Sequence, residues 1–257
     1  MGRFPRSIIL AAMVVSSCCV PMLALAEMSA EQALNTMYEK YDQKHSCWIT
    51  VAGENNQRYC MKVDSTKKIS AASRQRLYVL VVGNAIDNKG EPNGAHVTEG
   101  LVGAFVLEER NGDPEIIAAN PKIMIGASGE APTGWKLSKL GPANYWGWQN
   151  TSGDCHQGYC GSRYAILAPS GKGIRDLAGF IASYDDSGVG NDNSTTIDSK
   201  LEMDTTQTNS TVFPLLVTIT GTDQGKALVA RTWTLPFDPK GGAYIVPKDW
   251  PLNGRDF

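Results

Sequence analysis

The chain has 257 residues, a formal net charge of −2 and 42% hydrophobic residues. A mildly acidic chain without a Lys/Arg cluster argues against a nucleic-acid partner and against docking on an anionic membrane surface. Beyond the first 26 residues no run approaches the ~20 apolar residues of a bilayer span, so no integral membrane span is expected.

Residues 1–26 have the layout of a cleaved secretory leader. Arg3 and Arg6 stand without an acid, an apolar core follows from Ile8 to Leu23, and Ala24 and Ala26 supply the small residues before a cut. The expected mature domain is then 27–257, with a charge of −4 once the two arginines leave. A rival cut exists. Val15-Ser16-Ser17-Cys18 fits the loose lipoprotein pattern, and lipidation of Cys18 would anchor the chain instead of releasing it. Either way the expected location is exported, periplasmic or secreted.

Cys18 and Cys19 leave with the leader, and Cys47, Cys60, Cys155 and Cys160 remain. An even count in an exported chain reads as disulfides, with three pairings open. Local pairing, Cys47 with Cys60 and Cys155 with Cys160, is favoured because each pair fits one hairpin-sized segment. Each bridge would contribute roughly 2–3 kcal/mol by restricting the unfolded chain, the longer loop more. A zinc site built from cysteines and His156 is the competing use. It needs thiolates that an oxidising compartment removes, and the C-x₄-C spacing around a histidine is not that of a zinc finger.

Along the mature chain, Ser29 with Gln32 forms a capping-box pattern, and Ala30, Ala33, Leu34, Met37, Tyr38 and Tyr41 recur on one helical face. A helix over about 30–44 follows. The period then changes. "CWITV" and "QRYCMKV" flank the turn-rich "AGENN" as a hairpin, and "RLYVLVV" (76–82) is apolar throughout, as a strand buried on both faces should be. "GLVGAFVLEE" and "PEIIAAN" flank Asn111-Gly112, a hairpin turn signal. "SRYAILAP" with "IRDLAGFIASYDD", and "FPLLVTIT" with "KALVARTWTL", read as two further hairpins. A strand is expected near Ile197–Met203 inside a polar stretch, and the tail should lie extended with Trp250 docked. "APSGKGI" lacks the first glycine of a phosphate loop and carries Gly173 where Ser or Thr is required, so it reads as a turn. The expected fold is mainly β: an antiparallel β-sandwich or distorted barrel, with one N-terminal amphipathic helix.

The densest chemistry lies in "NYWGWQNTSGDCHQGYCGSRY" (144–164). On a strand, Trp146 and Trp148 share one face and Tyr145 takes the other. Exposed, the two indoles would form a stacking platform; buried, they would be core. The disulfide-closed loop beyond them supplies Asp154, His156, Tyr159 and Arg163 for polar contacts. Asp154 and His156 also suggest a base pair for a hydrolase, although no G-x-S-x-G elbow supplies a nucleophile. His45 and His96 sit in no motif and read as surface or turn residues. Glu108 and Glu109 are strand neighbours facing opposite ways, which suits a solvated strand end. Asp185, Asp186 and Asp192 offer oxygen ligands for calcium, without the spacing of a regular calcium loop.

These features favour a non-catalytic binding protein of the envelope or exterior, without a cofactor, whose partner is a glycan or a protein, including one it inhibits. The contact set would be Tyr145, Trp146, Trp148, Asp154, His156, Tyr159 and Arg163. The alternatives are an envelope hydrolase using Asp154 and His156, or a structural envelope component. Oligomeric state has no sequence signal.

Overall fold

The computed structural model describes residues 22–71, 74–110, 113–190 and 192–255. Leader residues 1–21, Cys18 among them, and the Asn111-Gly112 turn lie outside them.

Helix α1 (Met22–Met37) buries Ala30, Ala33 and Leu34, and Tyr38 just beyond it, the face that the 3.6-residue period marks out. It starts at Met22, before the expected 30 and within the expected leader, and ends at Met37, earlier than the expected 44. From Lys40 the chain becomes strand β1 (Lys40–Asp42), paired with β2 (Cys47–Ala52), so that Tyr41 lies opposite Trp48 at a ring separation of 4.9 Å. Backbone pairing to β2 displaces roughly the last two helical turns that the apolar spacing alone allowed.

Strand β2 continues into β3 (Gln57–Ala71), β4 (Arg74–Ile86), β5 (Leu101–Arg110) and β6 (Asp113–Met124), an antiparallel meander. Strand β4 sits in the middle, which explains its unbroken apolar run. Leu77, Val79 and Val81 face α1 in a core with Trp48, Tyr59, Met61 and Phe105, while Tyr78 and Leu80 face the opposite layer.

That second layer is built from β7 (Lys136–Gly141), β8 (Tyr145–His156) and β9 (Tyr159–Ser170). Trp135, Trp148, Ala165 and Leu167 pack from it against Tyr78, Leu80, Val102, Ala104 and Val106. Strand β10 (Gly173–Asp176) joins the layers, antiparallel to β9 and parallel to β6 at Gly173 and Ala119. The sheet is therefore mixed and folded over on itself, with no closed barrel among the described residues.

Along the same edge as β10, opposite β8, β9 pairs with β11 (Ile181–Asp185), followed by β12 (Thr196–Met203), β13 (Leu215–Asp223), the short β14 (Lys226–Ala227) and β15 (Arg231–Leu235). Ile166 and Ala168, the alternate residues of β9, enter a third core with Ile197, Val217, Trp233, Trp250 and Leu252. Trp250 is docked as the sequence suggested, after a small hairpin of β16 (Phe237–Asp238) and β17 (Ala243–Tyr244).

Both expected disulfides are present. Cys47 bonds Cys60 with Cα atoms 5.4 Å apart, and Cys155 bonds Cys160 at 4.1 Å. With all four sulfurs paired, the zinc arrangement through cysteine is not the one formed.

Glu108 departs from expectation. It is 2% exposed and accepts hydrogen bonds from Arg74 (2.8 Å) and Arg76 (3.1 Å) on the neighbouring strand. Arg76, and then Arg74, hold its carboxyl below the usual range against desolvation. A register that sets Arg76 opposite Glu108 makes it a covered ion pair and not a solvated strand end.

Candidate functional site

The 144–164 stretch is a hairpin, not a loop. Strand β8 runs through His156, and a two-residue turn at Gln157 (φ 51°) and Gly158 (φ 89°) starts β9 at once. Two successive positive φ values are what a tight hairpin with right-handed strand twist requires, and glycine takes the second without strain. Cys155 lies directly opposite Cys160, so the disulfide ties the last rungs below the turn.

The hairpin divides into two halves. At its base, Trp148 is 1% exposed and meets Tyr78 edge-on at 5.5 Å. Trp146 packs half-buried in the same core, its indole nitrogen covered, and the Tyr145 hydroxyl donates to the Pro169 carbonyl at 2.8 Å. The stacking platform is thus corrected. The alternation placing both indoles on one face holds, but that face packs on β4.

At the tip the same alternation sets Ser152, Asp154 and His156 together, with Arg163 across from Ser152. They line one wall of a cleft of about 510 Å³. The opposite wall comes from two segments distant in sequence, 96–99 and 124–127. A turn closed by Thr98 N–H onto the Ala95 carbonyl (2.8 Å) presents His96 and Val97. It is fastened by Ser128 N–H to the His96 carbonyl (3.2 Å) and by Gly129 N–H to that of Thr98 (2.6 Å). Close backbone approach makes glycine necessary here: a Cβ on Gly94 would collide with the Ser128 carbonyl, and one on Gly126 (φ 125°) with that of Glu130.

His96 Nδ1 lies 3.2 Å from Asp154 Oδ2, while Oδ1 accepts the Cys155 N–H at 2.8 Å. A carboxylate that only accepts assigns the proton to Nδ1 in neutral His96 and leaves its Nε2 lone pair free. The His156 ring stands nearly perpendicular to His96, with centroids 5.2 Å apart and planes at 82°. The pair the sequence suggested, Asp154 with His156, is therefore replaced by Asp154 with His96. Strand pleating separates side chains two positions apart by roughly 7 Å, and a docked loop fills the gap.

Asp176 lines the same cleft for a different reason. Along the edge of β9, β10 ends at Asp176 and β11 begins at Ile181. Asp176 Oδ1 fills part of this gap, accepting the N–H groups of Ile166 (2.9 Å) and Ala178 (3.0 Å). Although the residue as a whole is exposed, the protein packed round its carboxyl raises the pKa, desolvation outweighing the two donors. Nothing in the sequence marked Asp176 or His96. Glu99 also lines this cleft.

Tyr159, at the exposed turn, does not line the cleft. The calcium set is not assembled either. Asp185 accepts from Ser187 N–H (2.8 Å) and the Thr196 hydroxyl (3.2 Å), and Asp186 from Thr195 N–H (2.6 Å). Asp192 lines a different depression, with Asn193, Gln224 and Lys226. Among the described residues no group of three or more His, Cys, Asp or Glu side chains is placed to hold a metal.

No family model matches the chain, and no curated protein or solved structure matches it either.

Proposed function

We propose that this is an exported domain that binds a small polar ligand, of the glycan-fragment class, in the cleft between the tip of the β8–β9 hairpin and the His96 turn. The observation that carries the reading is convergence. His96, Ser152, Asp154, His156 and Arg163 meet at one concavity of about 510 Å³, beside the apolar Val97 and Met124. Concave sites of roughly 300–1,000 Å³ with a few directed polar groups suit small ligands, and the indole surface expected to stack on a sugar or on a partner's aromatic residues lies in the core instead. The paired disulfides support an oxidising compartment, in line with a leader over 1–26.

Affinity electrophoresis of the oxidised protein through envelope polysaccharide tests this. Retardation is expected, lost on filling the cleft with Ser152→Phe and kept in Tyr159→Ala. Equal retardation of all three proteins contradicts it.

Two observations favour hydrolysis as a second reading. His96 is oriented by a carboxylate, as a general base would be, and Asp176 in the same cleft has the raised pKa of an acid. That reading requires sugar release that disappears in His96→Ala.

A further inference from the structure

We infer that the free edge of β8, from Thr151 to Cys155, is a docking strand for an extended basic peptide of a partner protein. The inference goes beyond the cleft ligand. It concerns a depression that adjoins the cleft at Ser152, Gly153 and Asp154.

Strand pairing leaves this edge open. At its base β8 is flanked by β9 on one side and β7 on the other, but β7 begins at Lys136, opposite Gln149. Beyond Gln149, β8 pairs with β9 alone. The Asn150 side-chain amide donates to the Thr133 carbonyl at 3.0 Å, where the chain entering β7 comes in from the side. A depression of about 310 Å³ lies beside the open stretch, between 151–154 and 126–132.

The register decides which backbone groups face outward. In an antiparallel ladder, the residues of each narrow pair turn both N–H and C=O away from the partner strand. With Cα atoms 4.1 Å apart, Cys155 and Cys160 are such a pair. Gly153 and Thr151 share its phase and turn the same way. Two of the outward donors are satisfied locally. Asn150 Oδ1 accepts the Thr151 N–H at 2.9 Å, and Asp154 Oδ1 accepts that of Cys155 at 2.8 Å. The Gly153 N–H and the carbonyls of Thr151, Gly153 and Cys155 have no hydrogen-bond partner among the described residues. The edge therefore offers one donor and three acceptors at the two-residue repeat of a strand, roughly 7 Å.

That repeat matches the main chain of an added strand, which bonds to a sheet edge through its own N–H and C=O groups. The surplus of acceptors calls for a ligand rich in donors. Charge points the same way, since the charged residues lining the depression, Glu130 and Asp154, are both acidic. Lysine or arginine side chains on the peptide complement them. From Thr151 to Cys155 the edge spans roughly 14 Å, room for about five extended residues.

Amide hydrogen exchange and fluorescence anisotropy test this, with a labelled octapeptide of alternating threonine and lysine as the probe. In the protein alone, Gly153 should exchange fast between slow Ser152 and Asp154, whose N–H groups point at β9. Saturating peptide should slow Gly153 at least about tenfold. The same peptide N-methylated at every residue keeps its charge but loses its donors, and should bind at least about tenfold more weakly. Thr151→Pro removes no β8–β9 bond and should weaken binding by a similar factor, and Glu130→Lys by about fivefold. Near-ultraviolet circular dichroism checks each fold; if Thr151→Pro does not fold, the Gly153 amide and the N-methylated peptide decide. Absence of saturable binding, equal binding of the two peptides, or Gly153 exchange unchanged by peptide overturns the inference. Gly153 protection that grows with protein concentration alone, or that only envelope polysaccharide produces, overturns it too, and gives the edge to a second copy or to a glycan.

Discussion

The β2–β3 hairpin holds its disulfide inside the fold, with Cys47 fully buried beside Ile49 and Ile86, whereas the β8–β9 hairpin carries its disulfide at an exposed tip. Both bridges announce themselves in sequence as two cysteines a hairpin apart. In the first, Trp48, Tyr59 and Met61 of the two arms enter the helix-covered core, while the bridge lies in a separate small cluster with Ile49 and Ile86. In the second, the stabilising contacts are made at the base, by Trp148, Ala165 and Leu167, and the bridge fixes the rungs next to Asp154 and His156. Identical cross-links therefore serve packing in one place and the shape of a cleft in the other.

The strongest way to break this division is to attack the base of the second hairpin. Trp148→Ala should cost about 3–5 kcal/mol in urea unfolding, the range for deleting a fully buried aromatic side chain. A loss under about 1 kcal/mol would mean the base does not carry the packing assigned to it.

The bridges themselves sharpen the contrast. By loop-closure entropy, removing Cys47–Cys60 (sequence separation 13) should cost about 3 kcal/mol, and removing Cys155–Cys160 (separation 5) about 2 kcal/mol. Function should invert that order. The smaller loss of stability should bring the larger loss of polysaccharide retardation, because only the second bridge adjoins the cleft.

A smaller, pH-dependent effect is expected at Glu108, in the first layer. Its folded pKa lies below the model-compound value of 4.5. The stability it contributes is therefore complete above about pH 4.5 and fades as pH falls through the lower folded value. Glu108→Gln should be less stable than wild type at neutral pH, and the gap should close in acid. A gap that stays constant down to pH 2 would assign the loss to packing.

Smallest is the effect at the edge of β9. Asp176→Ala leaves the Ile166 N–H without its acceptor, at a cost of about 1 kcal/mol, while Asp176→Asn keeps an acceptor oxygen and should recover most of it. Because burial raises the pKa of Asp176, its ionised form is disfavoured in the fold, so its contribution to stability declines as pH rises through that pKa. Equal unfolding midpoints for the two variants would refute this role.

Much of the architecture was legible because it follows from local period. The all-apolar β4, the paired cysteines and the helix face through Tyr38 each rest on spacing within one element. Tyr41 did not follow, since its pairing with Trp48 competes with a helical turn that the same spacing permits. The site was half legible. Alternation placed Ser152, Asp154 and His156 on one face, and placed Trp146 with Trp148, but alternation says nothing of which face is covered. His96 was invisible for a stronger reason. It reaches Asp154 across 58 positions, through a loop docked by backbone hydrogen bonds and close glycine contacts that leave no periodic trace.

The account depends most on the contact between His96 and Asp154, and the tautomer of His96 tests it directly. Nitrogen-15 spectra of the imidazoles near pH 8 should show neutral His96 protonated at Nδ1, with a contact to the His156 ring, and Asp154→Asn should shift the His96 signals while leaving those of His45 in place. A His96 ring that carries its proton on Nε2, as free imidazole side chains do in water, and ignores Asp154→Asn would contradict the site and everything proposed for it.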